Sequence, residues 1–291
     1  MGQRMARRWQ VVVWGLLSWL VVATAQAGDP GLRSQAYQAV DLHSLDLLVK
    51  RGDPNQPHPI ASITKLMTAL VVLEAKLPLG EVLTVTSEDF DRIKGTHSPL
   101  AAGTQLTRAQ ALQLALVASD NRAAMALSRH YPGGRKAFVR AMNVKAKMLG
   151  MIRSRFVDPA GLSPQNVASM NDLVRLVRAA YQNPMIRDYS TEEEVVVSRS
   201  GGMLRFRSTN ALVRTEEMPV LLQKTGYTRE AGRCLVMVTP VKGRPTIFVL
   251  LNSQGKYTRI ADAKRLKHWL ETGEPHPSSV RAQRASGRRA G

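Results

Sequence analysis

The first pattern that predicts structure lies between residues 36 and 76. Ala36 to Leu42 and Leu45 to Lys50 are short apolar-rich runs, and Arg51-Gly52-Asp53-Pro54-Asn55 follows them. Short runs that end in Gly, Pro, Asn and Asp are typical of strands followed by a turn. From Ser62 to about Lys76, apolar residues then occur almost all the way round a helical turn. This arrangement is typical of a helix that is buried on most faces.

Four helices are predicted between residues 107 and 182. The clearest start is Thr107-Arg108-Ala109-Gln110, which has the form of a capping box and opens an apolar helix that runs to about Val117. The other three are Asn121 to His130, Arg135 to Leu149, and Leu173 to Gln182 behind Ser169-Met170-Asn171-Asp172. This succession predicts a helical lobe at about residues 76–190.

After Tyr189 the pattern becomes that of strands. Val195 to Arg199 and Met203 to Arg207 flank Ser200-Gly201-Gly202, which is a hairpin signal. Two β-branched runs and a last helix follow: Cys234 to Val241, Pro245 to Asn252 and Tyr257 to Glu271. The order predicts an α+β fold with an antiparallel sheet flanked by helices, whose halves come from opposite ends of the chain. The helical lobe is inserted between them, and a cleft at the junction is the natural place for a site.

The first 27 residues have the pattern of a secretory signal. Three Arg residues precede the apolar run Val11 to Ala23, and Ala25-Gln26-Ala27 supplies the small residues that a signal peptidase recognises. The run has about 13 residues, whereas a membrane-spanning helix needs roughly 20. We therefore expect cleavage after Ala27, secretion across the inner membrane to the periplasm and no integral membrane anchor afterwards. Arg7-Arg8 leaves the choice between general secretory and twin-arginine export open.

Composition narrows the function classes. Hydrophobic residues make up 44% and charged residues 22%, which suits a packed core and excludes a disordered chain. The single Cys, Cys234, lies in an apolar run and reads as a packed thiol rather than a nucleophile. The six His residues are far apart and fit no metal-ligand spacing. We expect neither a metal nor a cofactor.

The charge is strongly basic, with 41 Lys+Arg against 22 Asp+Glu and a net charge of +19. Residues 275–291 contain four Arg and no acidic residue, which predicts a basic, disordered tail. In an exported protein such a surface suits anionic envelope polymers or phospholipid headgroups, so loose envelope association is expected and nucleic acid is not. A basic surface with no particular partner is an equally good interpretation.

One motif pairs a hydroxyl with an amine. Ser62-Ile63-Thr64-Lys65 places Ser62 and Lys65 three residues apart at the start of the buried helix, so both project from the same face. The amine can serve as the base for the serine when burial or another cation lowers its pKa. About one S-x-x-K is expected by chance in this length, and Ser253-Gln254-Gly255-Lys256, a predicted turn, is a second. By itself, Ser62 fits a helix N-cap equally well.

Two further motifs bear on the choice between a catalytic Ser62 and an N-cap Ser62. Ser119-Asp120-Asn121 lies at the break between two predicted helices, although S-x-N also occurs at Ser169-Met170-Asn171 and Ser208-Thr209-Asn210. Lys224-Thr225-Gly226 is more informative, because K-T-G is expected only about 0.07 times by chance in this length. It stands before the strand at Cys234, where Gly permits close approach of a ligand.

Together the motifs resemble the low-molecular-mass penicillin-binding proteins that act as D-alanyl-D-alanine peptidases. The similarity extends through Ile60 to Ala69, Phe156 to Ser163 and Lys224 to Gly232, and covers roughly Ser34 to Glu271. Within the family, the chain is similar to the exported endopeptidases of the penicillin-binding protein 7 type, serine peptidases of the S11 kind. Carboxypeptidase relatives commonly add a β-rich second domain and an amphipathic anchor, and we expect neither here.

The resemblance implies a serine β-lactamase/DD-peptidase-like fold over residues 28–274. It also implies peptidoglycan stem peptides and cross-links as substrates, with β-lactams as covalent inhibitors. Ser62 would be acylated by the penultimate D-alanine carbonyl, and Lys65 would take its proton. Ser119 would pass a proton to the leaving amine, and Asn121 would hold Lys65 and the substrate amide. Which lysine or serine handles each proton stays open.

The substrate-binding residues implied by the resemblance lie on the second half of the sheet. They are Lys224, Thr225, Gly226 and Tyr227. Lys224 would bind anionic substrate and, as a second cation, help to lower the pKa of Lys65. The backbone N–H groups of Ser62 and Tyr227 would form the oxyanion hole.

The resemblance favours endopeptidase cleavage of cross-links, with D-alanyl-D-alanine carboxypeptidase activity as the first alternative. A serine β-lactamase is the second, but in class A it needs a carboxylate in an E-x-x-L-N segment, and Phe156 to Asn166 offers only Asp158. A non-catalytic wall-binding module is the third. A His-dependent hydrolase would need a G-x-S-x-G elbow, which the chain lacks.

Overall fold

The computed structural model describes residues 29–199 and 202–278; the predicted signal segment 1–27 and residues 279–291 of the predicted tail lie outside it. The strands are β1 (Ser34–Asp41), β2 (Leu47–Arg51), β3 (His58–Pro59), β4 (Val82–Thr84), β5 (Gln105–Thr107), β6 (Val167–Ala168), β7 (Glu194–Arg199), β8 (Gly202–Arg207), β9 (Leu222–Thr228), β10 (Gly232–Val241) and β11 (Arg244–Ser253). The helices are α1 (Thr64–Glu74), α2 (Arg108–Val117), α3 (Asn121–Arg129), α4 (Gly134–Met148), α5 (Met170–Tyr181), α6 (Pro184–Thr191), α7 (Ala211–Thr215) and α8 (Thr258–Thr272).

The central sheet joins the two ends of the described chain. Its five strands are antiparallel in the order β2-β1-β11-β10-β9, so β1 pairs with β11 across more than 200 residues of sequence. The predicted α+β fold, with sheet halves from opposite ends of the chain, is confirmed. Strand β9 forms one edge of this sheet, and that edge faces the turn before α1.

Alternation along the strands divides the core into two layers. On β10, Leu235 and Met237 belong to the cluster that includes Leu266 of α8, while Val236 and Val238 belong to the larger cluster on the opposite face. Because successive side chains of a strand point to opposite faces, one strand supplies both layers. Cys234, on the larger-cluster face, has no exposed surface. Burial raises the pKa of its thiol to about 11, which confirms the packed-thiol interpretation.

Helix α1 is surrounded by other helices. Residues 64–72 of this helix are all buried, and it packs against α2, α3, α4 and α5. The capping box at Thr107 and Gln110 forms in both directions and starts α2. The predicted helices at α3, α4, α5 and α8 are present, and the Ser169 side chain accepts from Asp172 N to cap α5.

Two features differ from the sequence predictions. Helices α6 and α7 were not predicted, although Asn183 caps α6 and Pro184 occupies its first turn. The hairpin β7–β8 forms a separate two-stranded sheet beside α2 instead of joining the central sheet. Within the described residues, no helix combines the length and apolar character needed to cross a membrane.

Candidate active site

Ser62 lies in the 3-10 turn Ala61–Ile63 that leads into α1. The N-cap interpretation of this serine is wrong, because Ile63 occupies the N-cap position of α1 and no side chain caps the helix. The hydroxyl instead contacts the amine three residues later, as their spacing predicted. Lys65 Nζ lies 2.9 Å from Ser62 Oγ.

Lys65 has no exposed surface and is surrounded by oxygen atoms. Its Nζ donates to Asn121 Oδ1 at 2.7 Å and to the carbonyl oxygen of Ala160 at 2.7 Å, besides contacting Ser62 Oγ. The S-x-x-K and S-x-N motifs therefore meet on one nitrogen atom. The third oxygen atom around Lys65 Nζ belongs to a backbone carbonyl, which no sequence motif predicted.

Burial governs the protonation of Lys65. It lowers the pKa of the amine to about 8, while the carboxylates of Asp158, Asp120 and Asp91 act in the opposite direction. The effect expected of Lys224 on this pKa is not among its causes. A substantial fraction of the Lys65 amine is neutral in mildly alkaline solution, so it can accept a proton there.

The junction of α2 and α3 holds the second motif. Ser119 has a positive φ of 59°, and Asp120 caps α3 by accepting from Ala123 N. This turn sets Asn121 at the first position of α3, with its Oδ1 toward Lys65. Among the described residues, the Ser119 hydroxyl makes no hydrogen bond, so its role in proton transfer stays a prediction.

The loop that supplies the Ala160 carbonyl is organised by Asp158. One carboxylate oxygen accepts from the N–H groups of residues 160, 161 and 162, and the other accepts from Ser163 N and Asn166 Nδ2. Gly161 has φ +79°, and a Cβ there would lie 1.9 Å from Ala61 O. Asp158 thus builds the wall beside Ser62, and its oxygen atoms are occupied by the loop.

The K-T-G motif lies on the edge strand β9. Lys224 is fully buried, Thr225 is 4% exposed, and Tyr227 is 57% exposed at the cleft. A Cβ at Gly226 would lie 2.7 Å from Ile60 O and 3.3 Å from Ser62 N. The glycine therefore allows the strand to approach the turn that carries Ser62, while the approach of a ligand to Gly226 stays a prediction.

A second buried cation stands behind this strand. The pKa of Lys224 lies well below its usual value because of burial, with the positive charges of Lys65 and Arg259 adding to the effect. Arg259, in the first turn of α8, is 9% exposed, and its Nε and Nη1 are buried without a hydrogen-bond partner among the described residues. Unpaired buried guanidinium groups are costly, so this one indicates a place for an anion.

A cleft of about 440 Å³ lies beside Ser62. Its walls include Ser62, Asn121 and Tyr227, and at its mouth Lys94 pairs with Glu230 at 2.5 Å. The other lining residues are Ile93, Thr96, Gly161, Leu162, Thr228 and Arg229. Gly161, Leu162 and residues 228–230 lie in segments that the resemblance had already indicated. Ile93, Lys94 and Thr96 were not predicted, because contacts between residues far apart in the sequence leave no local pattern.

Comparison with known proteins agrees with this site. The family Peptidase S11, described as D-alanyl-D-alanine carboxypeptidase, matches residues 23–255. The chain is 44% identical over 257 residues to a D-alanyl-D-alanine endopeptidase of Escherichia coli, covering 88% of this chain and 83% of that one. It is 43% identical to one of Pseudomonas aeruginosa, covering 91% and 90%.

Solved structures give the same result. A D-alanyl-D-alanine carboxypeptidase from Mycobacterium tuberculosis superposes with a TM-score of 0.74 and 28% identity, over 82% of this chain and 90% of that one. The catalytic fold, the meeting of the three motifs and these matches lead to one assignment. The chain belongs to the Peptidase S11 family.

Proposed function

We propose that the chain is an exported, periplasmic serine DD-peptidase that cleaves D-alanyl bonds of peptidoglycan through an acyl-enzyme at Ser62. Cleavage of cross-links is favoured, and β-lactams act as covalent inhibitors. The relatives from Escherichia coli and Pseudomonas aeruginosa, both D-alanyl-D-alanine endopeptidases, support this preference. The observation that carries the proposal is the hydrogen bonding of Lys65.

The three oxygen atoms around Lys65 determine where its lone pair points. A lysine ammonium has three N–H donors, and loss of one proton leaves two donors and one lone pair. The Ala160 carbonyl can only accept, and Asn121 Oδ1 can only accept, so they take the two remaining hydrogens. The lone pair therefore faces Ser62 Oγ, and the hydroxyl donates to it. This is the geometry of a general base and its nucleophile.

The reaction then runs in two steps. Ser62 Oγ bonds to the carbonyl carbon while its proton passes to Lys65 Nζ. The carbon–nitrogen bond breaks, and the leaving amine takes a proton, for which Ser119 is the proposed carrier. Water then attacks the ester, the bond to Ser62 Oγ breaks, and the serine regains its proton.

The edge of β9 is suited to the rest of the substrate. Because a Cβ at Gly226 would lie 3.3 Å from Ser62 N, the strand runs beside that N–H group, and we assign Ser62 N–H and Tyr227 N–H to the oxyanion hole. Lys224 and Thr225 are assigned to substrate binding, with Arg259 added to them. Burial and, after it, the charges of Lys65 and Arg259 lower the pKa of Lys224, and a bound carboxylate would act in the opposite direction and favour the protonated amine.

Three alternatives are weaker. Peptidase S11 is described as carboxypeptidase, so D-alanyl-D-alanine carboxypeptidase activity is the runner-up. A class A β-lactamase needs a carboxylate that is free to activate water, whereas the oxygens of Asp158 accept five hydrogen bonds from its own loop. A non-catalytic binding module has no use for a buried amine directed at a serine.

The decisive test is covalent labelling. We expect penicillin to add one equivalent to the purified chain at Ser62 and the adduct to persist for many minutes. Intact-mass spectrometry with peptide mapping measures both the site and the lifetime. A label on another serine, or hydrolysis within seconds, would contradict the proposal.

The same preparation decides between the two cuts. Cross-linked and uncross-linked muropeptides are incubated separately, and the products are identified by mass. Conversion of dimers to monomers supports the endopeptidase, whereas release of terminal D-alanine alone assigns the carboxypeptidase.

We expect Arg259→Gln to raise KM for the muropeptide by about 10-fold, since a hydrogen-bonded charge is removed from carboxylate binding, while kcat changes less. Arg140→Gln removes an exposed guanidinium from α4 and serves as the matched control. An unchanged KM in the Arg259 variant would remove this residue from substrate binding.

A further inference from the structure

A chain of hydrogen bonds enters the active site from outside the three motifs. Asp91 Oδ2 accepts from Thr96 Oγ1 at 2.6 Å, and Thr96 Oγ1 accepts from Asn121 Nδ2 at 2.8 Å. Asn121 Oδ1 in turn accepts from Lys65 Nζ at 2.7 Å. The chain links the loop at residues 91–96 to the amine beside Ser62.

Asp91, the residue of this series farthest from Lys65, fixes which groups donate and which accept in these hydrogen bonds. Asp91 also accepts from the backbone N–H groups of Ile93, Lys94 and Thr96 at 2.8 to 2.9 Å. Burial raises the pKa of Asp91, but these bonds and the one from the Thr96 hydroxyl outweigh it, so the pKa lies below its usual value. An ionised carboxylate has acceptors only.

Each link then determines the next. Because Asp91 can only accept, the single hydroxyl proton of Thr96 points toward it, and the Thr96 oxygen is left as an acceptor for Asn121. The group that Asn121 turns toward Thr96 must be its NH2 group. Its carbonyl oxygen therefore faces Lys65, and the second hydrogen on Nδ2 stays available to the cleft.

We propose that Thr96 and Asp91 are positioning residues that fix the side-chain amide of Asn121, so that the lone pair of Lys65 is kept on Ser62. The inference rests on the proposed function of Lys65 as the base. Neither residue touches the reacting atoms. They act through Asn121, by determining which end of its amide meets the amine.

Without the Thr96 hydroxyl, Asn121 can turn its amide over. Its NH2 group would then donate to the lone pair of neutral Lys65 and hold it away from Ser62, so acylation would slow. The loss of one acceptor also disfavours the protonated amine. The charged groups around that amine, namely Asp158, Asp120, Asp91 and Lys224, are unchanged by a substitution at Thr96.

The test compares Thr96→Val with Thr96→Ser in penicillin acylation across pH. Thr96 is exposed, so neither change disturbs the core. We expect Thr96→Val to lower the plateau rate by about 3- to 10-fold, the equivalent of one neutral hydrogen bond, and Thr96→Ser to keep the wild-type rate. Thr104→Val, at a threonine with no side-chain hydrogen bond among the described residues, is the matched control.

The dependence of the acylation rate on pH distinguishes loss of the Asn121 orientation from a general loosening of the site. If the Asn121 amide is reversed in Thr96→Val, the rise of the acylation rate with pH shifts to lower pH. A loosened site would instead hydrate Lys65 and shift that rise to higher pH. A plateau equal to that of wild type, or a shift of that rise to higher pH, overturns the proposal.

Asp91→Asn gives an independent measurement. The new amide can donate to the Thr96 hydroxyl and so reverse the direction of the hydrogen bonds. We therefore expect a lower plateau rate of acylation when Thr96 is present, and little further loss when the change is combined with Thr96→Val. Equal losses in both backgrounds overturn the link. If wild type itself is not acylated at Ser62, the proposed function fails; if wild type is acylated and Thr96→Val matches it, only the positioning role fails.

Discussion

Lys65→Arg should lower the rate of acylation at Ser62 by at least about 100-fold, the lower end of general-base contributions. Guanidinium stays protonated at any working pH, so it keeps the positive charge of the site and cannot take the serine proton. The amine that it replaces is fully buried, with a pKa lowered to about 8. The loss therefore reports the base and not the charge.

The pKa of Lys65 also predicts the direction in which the acylation rate changes with pH. Neutral Lys65 is the active form, so the wild-type rate should rise with pH up to about 8 and then level off. In Lys65→Arg that rise should disappear. Stopped-flow acylation from mildly acidic to alkaline pH measures both, and Lys50→Arg, on the edge strand β2, is the control. A Lys65→Arg protein that acylates at nearly the wild-type rate would remove Lys65 from the role of base.

Local patterns predicted most of the fold. The capping box at Thr107 and the β-branched runs near the end of the chain act over a few residues, and their elements formed where expected. Helix α6 was missed because it has only eight residues, and its start at Asn183-Pro184 also reads as a turn. The β7–β8 hairpin was predicted, but its separation from the central sheet depends on packing against α2, which no local pattern encodes.

The motifs predicted several residues of the site, but not the contacts that orient them. The spacing of Ser62 and Lys65 placed both on one face, and the resemblance joined them to Asn121 and Lys224. The bonds that orient these groups come from distant residues: Ala160 lies 95 residues from Lys65, and Thr96 lies 25 residues from Asn121. Gly226 shows the same limit, because its close approach to the turn at Ile60–Ser62 joins residues that lie far apart in the sequence.

Gly161→Ala should damage both the fold and the site. The residue has φ +79°, and an added Cβ would lie 1.9 Å from Ala61 O and 2.3 Å from Ala61 C, both backbone atoms that no rotamer change can move. Left-handed strain alone costs about 1 to 3 kcal/mol, and relief of the clash requires the loop at residues 158–163 to withdraw from the turn that carries Ser62.

The withdrawal has two measurable results. The melting temperature should fall by at least about 4 °C, because 1 kcal/mol corresponds to roughly 2 to 4 °C in a domain of this size. The Ala160 carbonyl should also leave Lys65, so that one of the two acceptors that direct its lone pair is lost and acylation slows by at least about 10-fold. Gly80→Ala is the matched control, since an added Cβ there meets nothing within 4 Å and its φ is ordinary. Thermal unfolding and penicillin acylation of the two variants decide the matter: if Gly161→Ala behaves like Gly80→Ala in both, the close approach of the loop to the Ser62 turn is not required for either stability or acylation.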